Sequence, residues 1–391
     1  MPITTLTEGP DVYTTTWRTS EDIIFLNVYM LGGDDRFNNI GWGSLRIYMG
    51  SGNDYALINP CYQAIIYGEA GNDTVDANTN APLTFDGGDG ADRVNFLKPC
   101  FSVSIDGGLG NDSFYANNYT IGGSINGSAG NDLFKGFGNY GGYKPTLAGG
   151  TGDDTYYVDP AAPPTIVESV SGGTDTVVLL YTSASYVKPA NVENVIVQGA
   201  APPPPPNTIT GDNLDNVLSG GTAADSIFGL GGNDTLRGNA GDDLLEGGAG
   251  NDRLYGGTGA DKLYGGDGAD LLRGEAGRDE AWGGAGADSF IFDDSHFGGA
   301  TTATCDVIHD FSAILGDKIG LNLVDANSGL IGDQAFSFIG TAAFGHVAGQ
   351  LRYQQISGNT YVQGDTNGDA IADFFIRLDG LQTLNSAAFI L

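Results

Sequence analysis

The chain has little positive charge. Its 391 residues hold 16 Lys and Arg against 48 Asp and Glu, a formal net charge of -32. That balance repels phosphate backbones and excludes nucleic acid as a partner. It also works against compaction unless cations offset it. Cysteine is scarce too: Cys61, Cys100 and Cys305 are the three present, too few for a disulfide scaffold. The three histidines, His296, His309 and His346, are scattered, and no His-Glu-x-x-His sets two of them on one helix face for zinc. No Gly-x-Ser-x-Gly offers a nucleophile elbow. No apolar run reaches the length that spans a bilayer, and the opening Met1-Pro-Ile-Thr-Thr-Leu-Thr-Glu-Gly lacks the basic and apolar regions of a secretory leader. With no catalytic constellation, the chain is expected to be neither an enzyme nor inserted in a membrane.

Glycine, by contrast, is abundant, and it is periodic. From Gly211 to Ile291 one nine-residue unit recurs nine times, as in Gly247-Gly-Ala-Gly-Asn-Asp-Arg-Leu-Tyr255 and Gly256-Gly-Thr-Gly-Ala-Asp-Lys-Leu-Tyr264. Glycines let the first six residues turn sharply with carbonyls aimed inward. The sixth position supplies a carboxylate: Asn216, then Asp225, Asp234, Asp243, Asp252, Asp261, Asp270, Asp279 and Asp288. The eighth is apolar (Leu218, Ile227, Leu236, Leu245, Leu254, Leu263, Leu272, Ala281, Phe290) and points into a core from a short strand. Carboxylates with carbonyls, here those of the fourth-position glycines Gly232, Gly241, Gly250, Gly259, Gly268, Gly277 and Gly286, are the oxygen donors a hard cation such as calcium prefers. Alternate units should lie on opposite edges of a roll, with each ion between unit n and unit n+2. Asp288 is expected to close the column.

A looser array precedes it. Gly-x-Asp triplets end at Asp35, Asp54, Asp73, Asp92, Asp112, Asp132 and Asp154, spaced by 19 to 22 residues. Two residues after each acid stands Phe37, Ala56, Val75, Val94, Phe114, Phe134 or Tyr156. Five residues before each triplet glycine stands Val28, Ile47, Ile66, Phe85, Ile105, Ile125 or Leu147. Two apolar columns at fixed phase predict inward strand positions of a wider coil. Gly71, Gly90, Gly110, Gly130 and Gly152 are its candidate carbonyl donors, and Gly9-Pro-Asp11 reads as a degenerate first rung. Cys61 and Cys100 would sit two coils apart, roughly 9–10 Å, beyond the reach of a disulfide.

The other edge of the wide coil is a variable loop carrying Trp42, Tyr62, Tyr119, Tyr140 and Tyr143. It reads either as a neutral aromatic edge for a partner or polysaccharide, or as rings packed beneath their own loops. The outward column runs Tyr48, Tyr67, Asp86, Asp106, Asn126, Ala148. Its paired acids could act on a sugar, or be solvated surface charge.

The nonapeptide resembles the calcium-binding repeat of RTX exoproteins. The segment after Phe290, with Asp306-Val-Ile-His-Asp-Phe311, Gly316-Asp-Lys-Ile319, Gly349-Gln-Leu-Arg352 and the terminal Ala388-Phe-Ile-Leu391, resembles the C-terminal domain of serralysin-type proteases. The resemblance implies multiple calcium ions as cofactor, each carboxylate bridging ions above and below. It also implies a capping domain with an uncleaved type I secretion signal, though the acid that usually precedes the apolar end is missing. The Asp-Pro-His-Asp signature of RTX alginate epimerases is absent. Asp365, Asn367, Asp369 and Asp373 take positions 1, 3, 5 and 9 of an EF-like loop that lacks the later Gly and Glu; it reads as an extra calcium site or as a polar turn.

The expected architecture is all-β, a calcium-loaded parallel β-roll or β-helix solenoid in two blocks with a C-terminal β capping domain. Its parts are 1–157, a connector 158–210 ending in the polyproline spacer Pro202 to Pro206, the nonapeptide roll 211–291, and a cap 292–391. The expected function is a secreted structural protein that assembles with copies of itself at the cell surface or in the matrix, exported by type I machinery. The alternative is an adhesin for cell-surface glycan, or a polysaccharide-acting enzyme, using the N-terminal face.

Overall fold

The computed structural model describes residues 3–5, 9–16, 25–40, 43–180, 185–198, 206–294, 297, 299, 301–327, 329–330 and 334–391. Trp42, His296 and Pro202 to Pro205 lie outside them. The protein is an all-β parallel solenoid with no α-helix among the described residues; one 3-10 turn, Ser386–Ala388, precedes the last strand. No described helix is long and apolar enough to cross a membrane. The chain divides into two compact units, one of residues 1–181 with 189–194 and one of residues 182–188 with 195–391.

In the first unit the chain alternates between two parallel sheets. One contains Phe25–Tyr29, Ser44–Tyr48, Gln63–Tyr67, Leu83–Asp86, Cys100–Leu109, Ile121–Ala129, Thr146–Thr151 and Thr165–Ile166. The other contains Arg36–Ile40, Tyr55–Ile58, Thr74–Ala77, Arg93–Phe96, Ser113–Tyr115, Leu133–Phe137, Thr155–Val158 and Thr176–Leu180. Strict in-register pairing stacks Val28, Ile47, Ile66, Phe85, Ile105, Ile125 and Leu147 in one file. Phe37, Ala56, Val75, Val94, Phe114, Phe134 and Tyr156 form the other. Both files are buried. The core is thick: a coil such as 44–58 buries Leu45, Ile47, Met49, Ala56 and Ile58. The parallel pairing runs past residue 157, through Ile166 and Val177.

The second unit is thinner. Between residues 226 and 276 each nonapeptide buries one large apolar side chain. Leu218, Leu236, Leu254, Leu272, Phe290, Ile319 and Phe389 stack on one sheet. Ile209, Ile227, Leu245, Leu263, Ala281, Ile308 and Leu378 stack on the other. Residues 306–390 thus continue both files; an antiparallel trio, Phe374–Leu378, Asn359–Asp365 and Gln350–Ile356, extends the second sheet, and Ser337–Phe338 pairs in parallel at its edge.

Candidate metal centre

Each Gly-x-Asp turn hands its acid to the coil before it. The amide of Asp35 donates to Oδ1 of Asp54 at 2.6 Å, and that of Asp54 to Asp73 at 2.8 Å. The relay continues through Asp92, Asp112, Asp132 and Asp154 to Asp175. Asp11 joins at the front, its amide 2.7 Å from Oδ1 of Asp35, so the degenerate rung belongs to the ladder. In the second unit two ladders alternate. Asp225, Asp243, Asp261 and Asp279 form one, and Asn216, Asp234, Asp252, Asp270 and Asp288 the other. Partners are 18 residues apart, the unit n to unit n+2 spacing.

The second carboxylate oxygen is the unusual one. Oδ2 of Asp35, Asp54, Asp73, Asp92, Asp112, Asp132, Asp154, Asp234, Asp243, Asp252, Asp261, Asp270, Asp279 and Asp288 is buried with no hydrogen-bond partner. Leaving so many buried acceptors empty is costly, and ionised ones costlier still. Burial accordingly pushes these carboxyls up, with neighbouring ladder acids adding to it: Asp73, Asp132 and Asp279 to about 8, Asp92, Asp234, Asp243 and Asp270 to about 7.

A small cradle faces several of the orphaned oxygens. A Cβ added to Gly247 would lie 2.4 Å from Asp252 Oδ2 and 2.7 Å from the carbonyl oxygen of Gly265. The same pair, acid oxygen and next-coil glycine carbonyl, surrounds Gly87, Gly229, Gly238 and Gly256. Closely spaced buried oxygens without donors fit a hard divalent cation. These carbonyls belong to first-position glycines, which sequence reasoning left out. The fourth-position glycines do a further job: Gly250 has φ +136° and its Cα faces the Gly232 carbonyl so closely that a Cβ would fall 1.8 Å from it.

Three places depart from the sequence reading. Asp225 Oδ2 accepts from the Gly221 amide at 2.6 Å, so this acid has no empty oxygen. In the first nonapeptide, where Asn216 replaces the acid, the buried Lys188 ammonium pairs with Asp212 at 2.8 Å. Asp288 does not close its column, because its amide donates to Oδ1 of Asp317 at 3.1 Å, as that of Asp279 does to Asp306 at 2.9 Å. Asp175, Asp306 and Asp317 were missed, although Val177, Ile308 and Ile319 stand two residues after them, the same acid-to-apolar spacing.

The remaining candidates are dispersed. Asp365 is saturated by the Gly368 and Ala370 amides, and Asp373 by Thr366 and Asn367, which makes the 365–373 loop a self-bonded turn. Tyr62, Tyr119 and Tyr143 are exposed. Tyr29, Tyr48 and Tyr67 stack at 4.7 and 5.0 Å, and the exposed acids Asp86 and Asp106 follow in the same register. All three cysteines are free and buried.

The model of the RTX calcium-binding nonapeptide repeat matches residues 65–80, 210–245, 228–263, 237–272 and 264–294. Over 106 residues the chain is 33% identical to the endo-1,3-1,4-beta-glycanase ExsH of Rhizobium meliloti (strain 1021), a stretch that is 27% of this chain and 20% of that relative. A solved structure, the AlgE6R3 subunit of the Azotobacter vinelandii mannuronan C5-epimerase, is similar at 23% identity and a TM-score of 0.20, covering 46% of this chain and 80% of that one. The chain carries RTX calcium-binding nonapeptide repeats, which support multiple calcium ions as its cofactor.

Proposed function

We propose that the chain is an exported structural protein whose aspartate ladders hold rows of calcium ions. The ligands are the Oδ2 atoms of Asp35, Asp54, Asp73, Asp92, Asp112, Asp132 and Asp154 in the first unit. In the second they are those of Asp234, Asp243, Asp252, Asp261, Asp270, Asp279 and Asp288, with glycine carbonyls of neighbouring coils completing each shell. The observation that carries this reading is the row of buried carboxylate oxygens with no other partner. About a dozen ions would offset most of the -32 charge. Folding then becomes a metal-binding event, since the nonapeptide core is too thin to hold a repelling chain together alone.

Sites of this kind fill at extracellular calcium levels, ~0.1–1 mM, far above the cytosolic level. The chain would therefore leave the cell unfolded, by a type I route, and fold outside. Deleting the last sixty or so residues tests the route: the protein should then stay inside, whereas normal secretion of that truncation would refute it. A chain that is nearly all stacked coils suits assembly with copies of itself. Negative-stain microscopy with calcium should show filaments or arrays; monodisperse particles at high concentration would contradict assembly.

A second reading comes from the outward column, where the Tyr29, Tyr48 and Tyr67 stack leads into the acids Asp86 and Asp106. Such a stripe offers a polysaccharide apolar edges beside hydrogen-bond acceptors. Tyr48→Ala and Asp106→Asn should each weaken retention on an acid-free glycan matrix if this face binds it, and leave it unchanged if it does not.

A further inference from the structure

Three buried carboxylates converge late in the first ladder, where the Asp175 amide donates in turn to Oε2 of Glu193 at 2.7 Å. Asp154, Glu168 and Asp175 each offer an oxygen, and the three lie within 4.8 Å of one another. Asp154 and Asp175 are each 1% exposed, and Oδ2 of both is buried without a partner. No family repeat covers this segment, since the matched stretches end at residue 80 and resume at 210.

Glu168 has no counterpart in the preceding coils. A Cβ on Gly107 would meet Asp112 Oδ2 at 2.1 Å and the Gly127 carbonyl at 2.7 Å. On Gly127 it would meet Asp132 Oδ2 at 2.0 Å and the Gly149 carbonyl at 2.7 Å. On Gly149 it would meet Asp154 Oδ2 at 1.9 Å and then, at 2.7 Å, Oε1 of Glu168. The glutamate side chain stands where a backbone carbonyl stands in earlier turns. It is held there by the Gly149 amide at 3.0 Å, the Gly150 amide at 3.4 Å and the Tyr156 hydroxyl. A neutral oxygen has been exchanged for a charged one.

We propose that Asp154, Glu168 and Asp175 form a three-carboxylate site for a divalent cation, which binds calcium more tightly than the turns before it. The proposal rests on the ladder reading for Asp154 and adds a ligand type the repeat does not contain. Affinity of a hard cation rises with the charge count and rigidity of its ligands, and here both exceed those of a turn with one empty Oδ2 beside a carbonyl.

The test uses the full chain with calcium or terbium alone. At one equivalent of terbium, emission excited through tyrosine should come from the ion beside Tyr156, and Tyr156→Phe, which keeps every carboxylate, should remove most of it. Glu168→Gln should weaken the tightest calcium by about tenfold in equilibrium dialysis. Asp252→Asn should lower the count while sparing the Tyr156 signal. If Glu168→Gln leaves the tightest affinity unchanged and Tyr156→Phe leaves the emission unchanged while Asp252→Asn lowers the count, the three-carboxylate site is wrong and the ladder reading survives. If Asp252→Asn also leaves the count intact, the ladder reading falls as well. Should Glu168→Gln not fold, Tyr156→Phe decides alone.

Discussion

The backbone amide of Asp252 donates to Oδ1 of Asp270 at 2.8 Å, while Oδ2 of Asp270 is buried with nothing to accept from. One oxygen is spent on joining coils, and the other is left for a ligand. That division of labour recurs along the ladders.

Asp252→Ala and Asp288→Ala should shift the calcium midpoint of folding by similar amounts. Both acids pass a hydrogen bond onward, Asp288 to Asp317 as Asp252 to Asp270. Alanine keeps that amide but loses the charge-assisted bond that each Oδ1 accepts, from the Asp234 amide at 2.7 Å or the Asp270 amide at 3.0 Å, worth roughly 1.5–3 kcal/mol, as well as a metal ligand. Calcium titrations followed by circular dichroism measure both shifts; a much smaller effect at Asp288 would place it at a column end after all.

Gly250→Ala should destabilise the calcium-loaded protein without removing a carboxylate. The backbone there has φ +136° and the new Cβ would fall 1.8 Å from the Gly232 carbonyl. Strain of this type costs ~1–3 kcal/mol before the clash is counted. The thermal midpoint at saturating calcium reports it, and an unchanged midpoint would mean that the turn can relax.

Without metal, acid should favour the folded state. Carboxyls such as Asp73, Asp132 and Asp279 are raised in the fold to about 8 from 3.8. The folded chain therefore binds more protons than the unfolded one between those limits, and stability falls as pH rises through about 7 to 8. A metal-free sample taken from alkaline pH down towards 5 should gain β signal, and calcium binding near neutrality should release protons. A β signal that declines over that descent would reverse the assignment.

Phe389→Ala should cost ~3–5 kcal/mol, because Phe389 pairs with Ile319 in the same file as Leu272 and Phe290 and is 7% exposed. Denaturant unfolding in calcium measures it. A surface-like value below ~0.5 kcal/mol would show that the terminal strand is not part of the core.

Repetition made most of this legible in the sequence. The files of Val28 and Phe37 could be read because each recurs at one phase from an acid, and register pairing then follows from stacking alone. Asp175 kept the period, since Gly173-Thr-Asp175 stands 21 residues after Asp154; the other missed acids lie where it breaks. Asp306 and Asp317 follow Asp279 and Asp288 by 27 and 29 residues instead of 18, and the glycines that mark the turn are mostly absent around Asp306. Only the apolar residue two positions on remained as a signal. Glu168 gave none, since a single acid in an irregular loop acquires meaning only when the coil places it beside Asp154.

The central claim is tested most directly by far-ultraviolet circular dichroism of the full chain above the raised carboxyl range, at about pH 8.5, first in calcium and then in excess chelator. Ordered parallel strands should be present with calcium. In chelator the signal of the nonapeptide roll should collapse to coil, and protease should cut within 211–291 before it cuts within 44–158, whose thicker core leans less on metal. A spectrum that stays fully β-rich in chelator, with 211–291 still protected, would contradict the account.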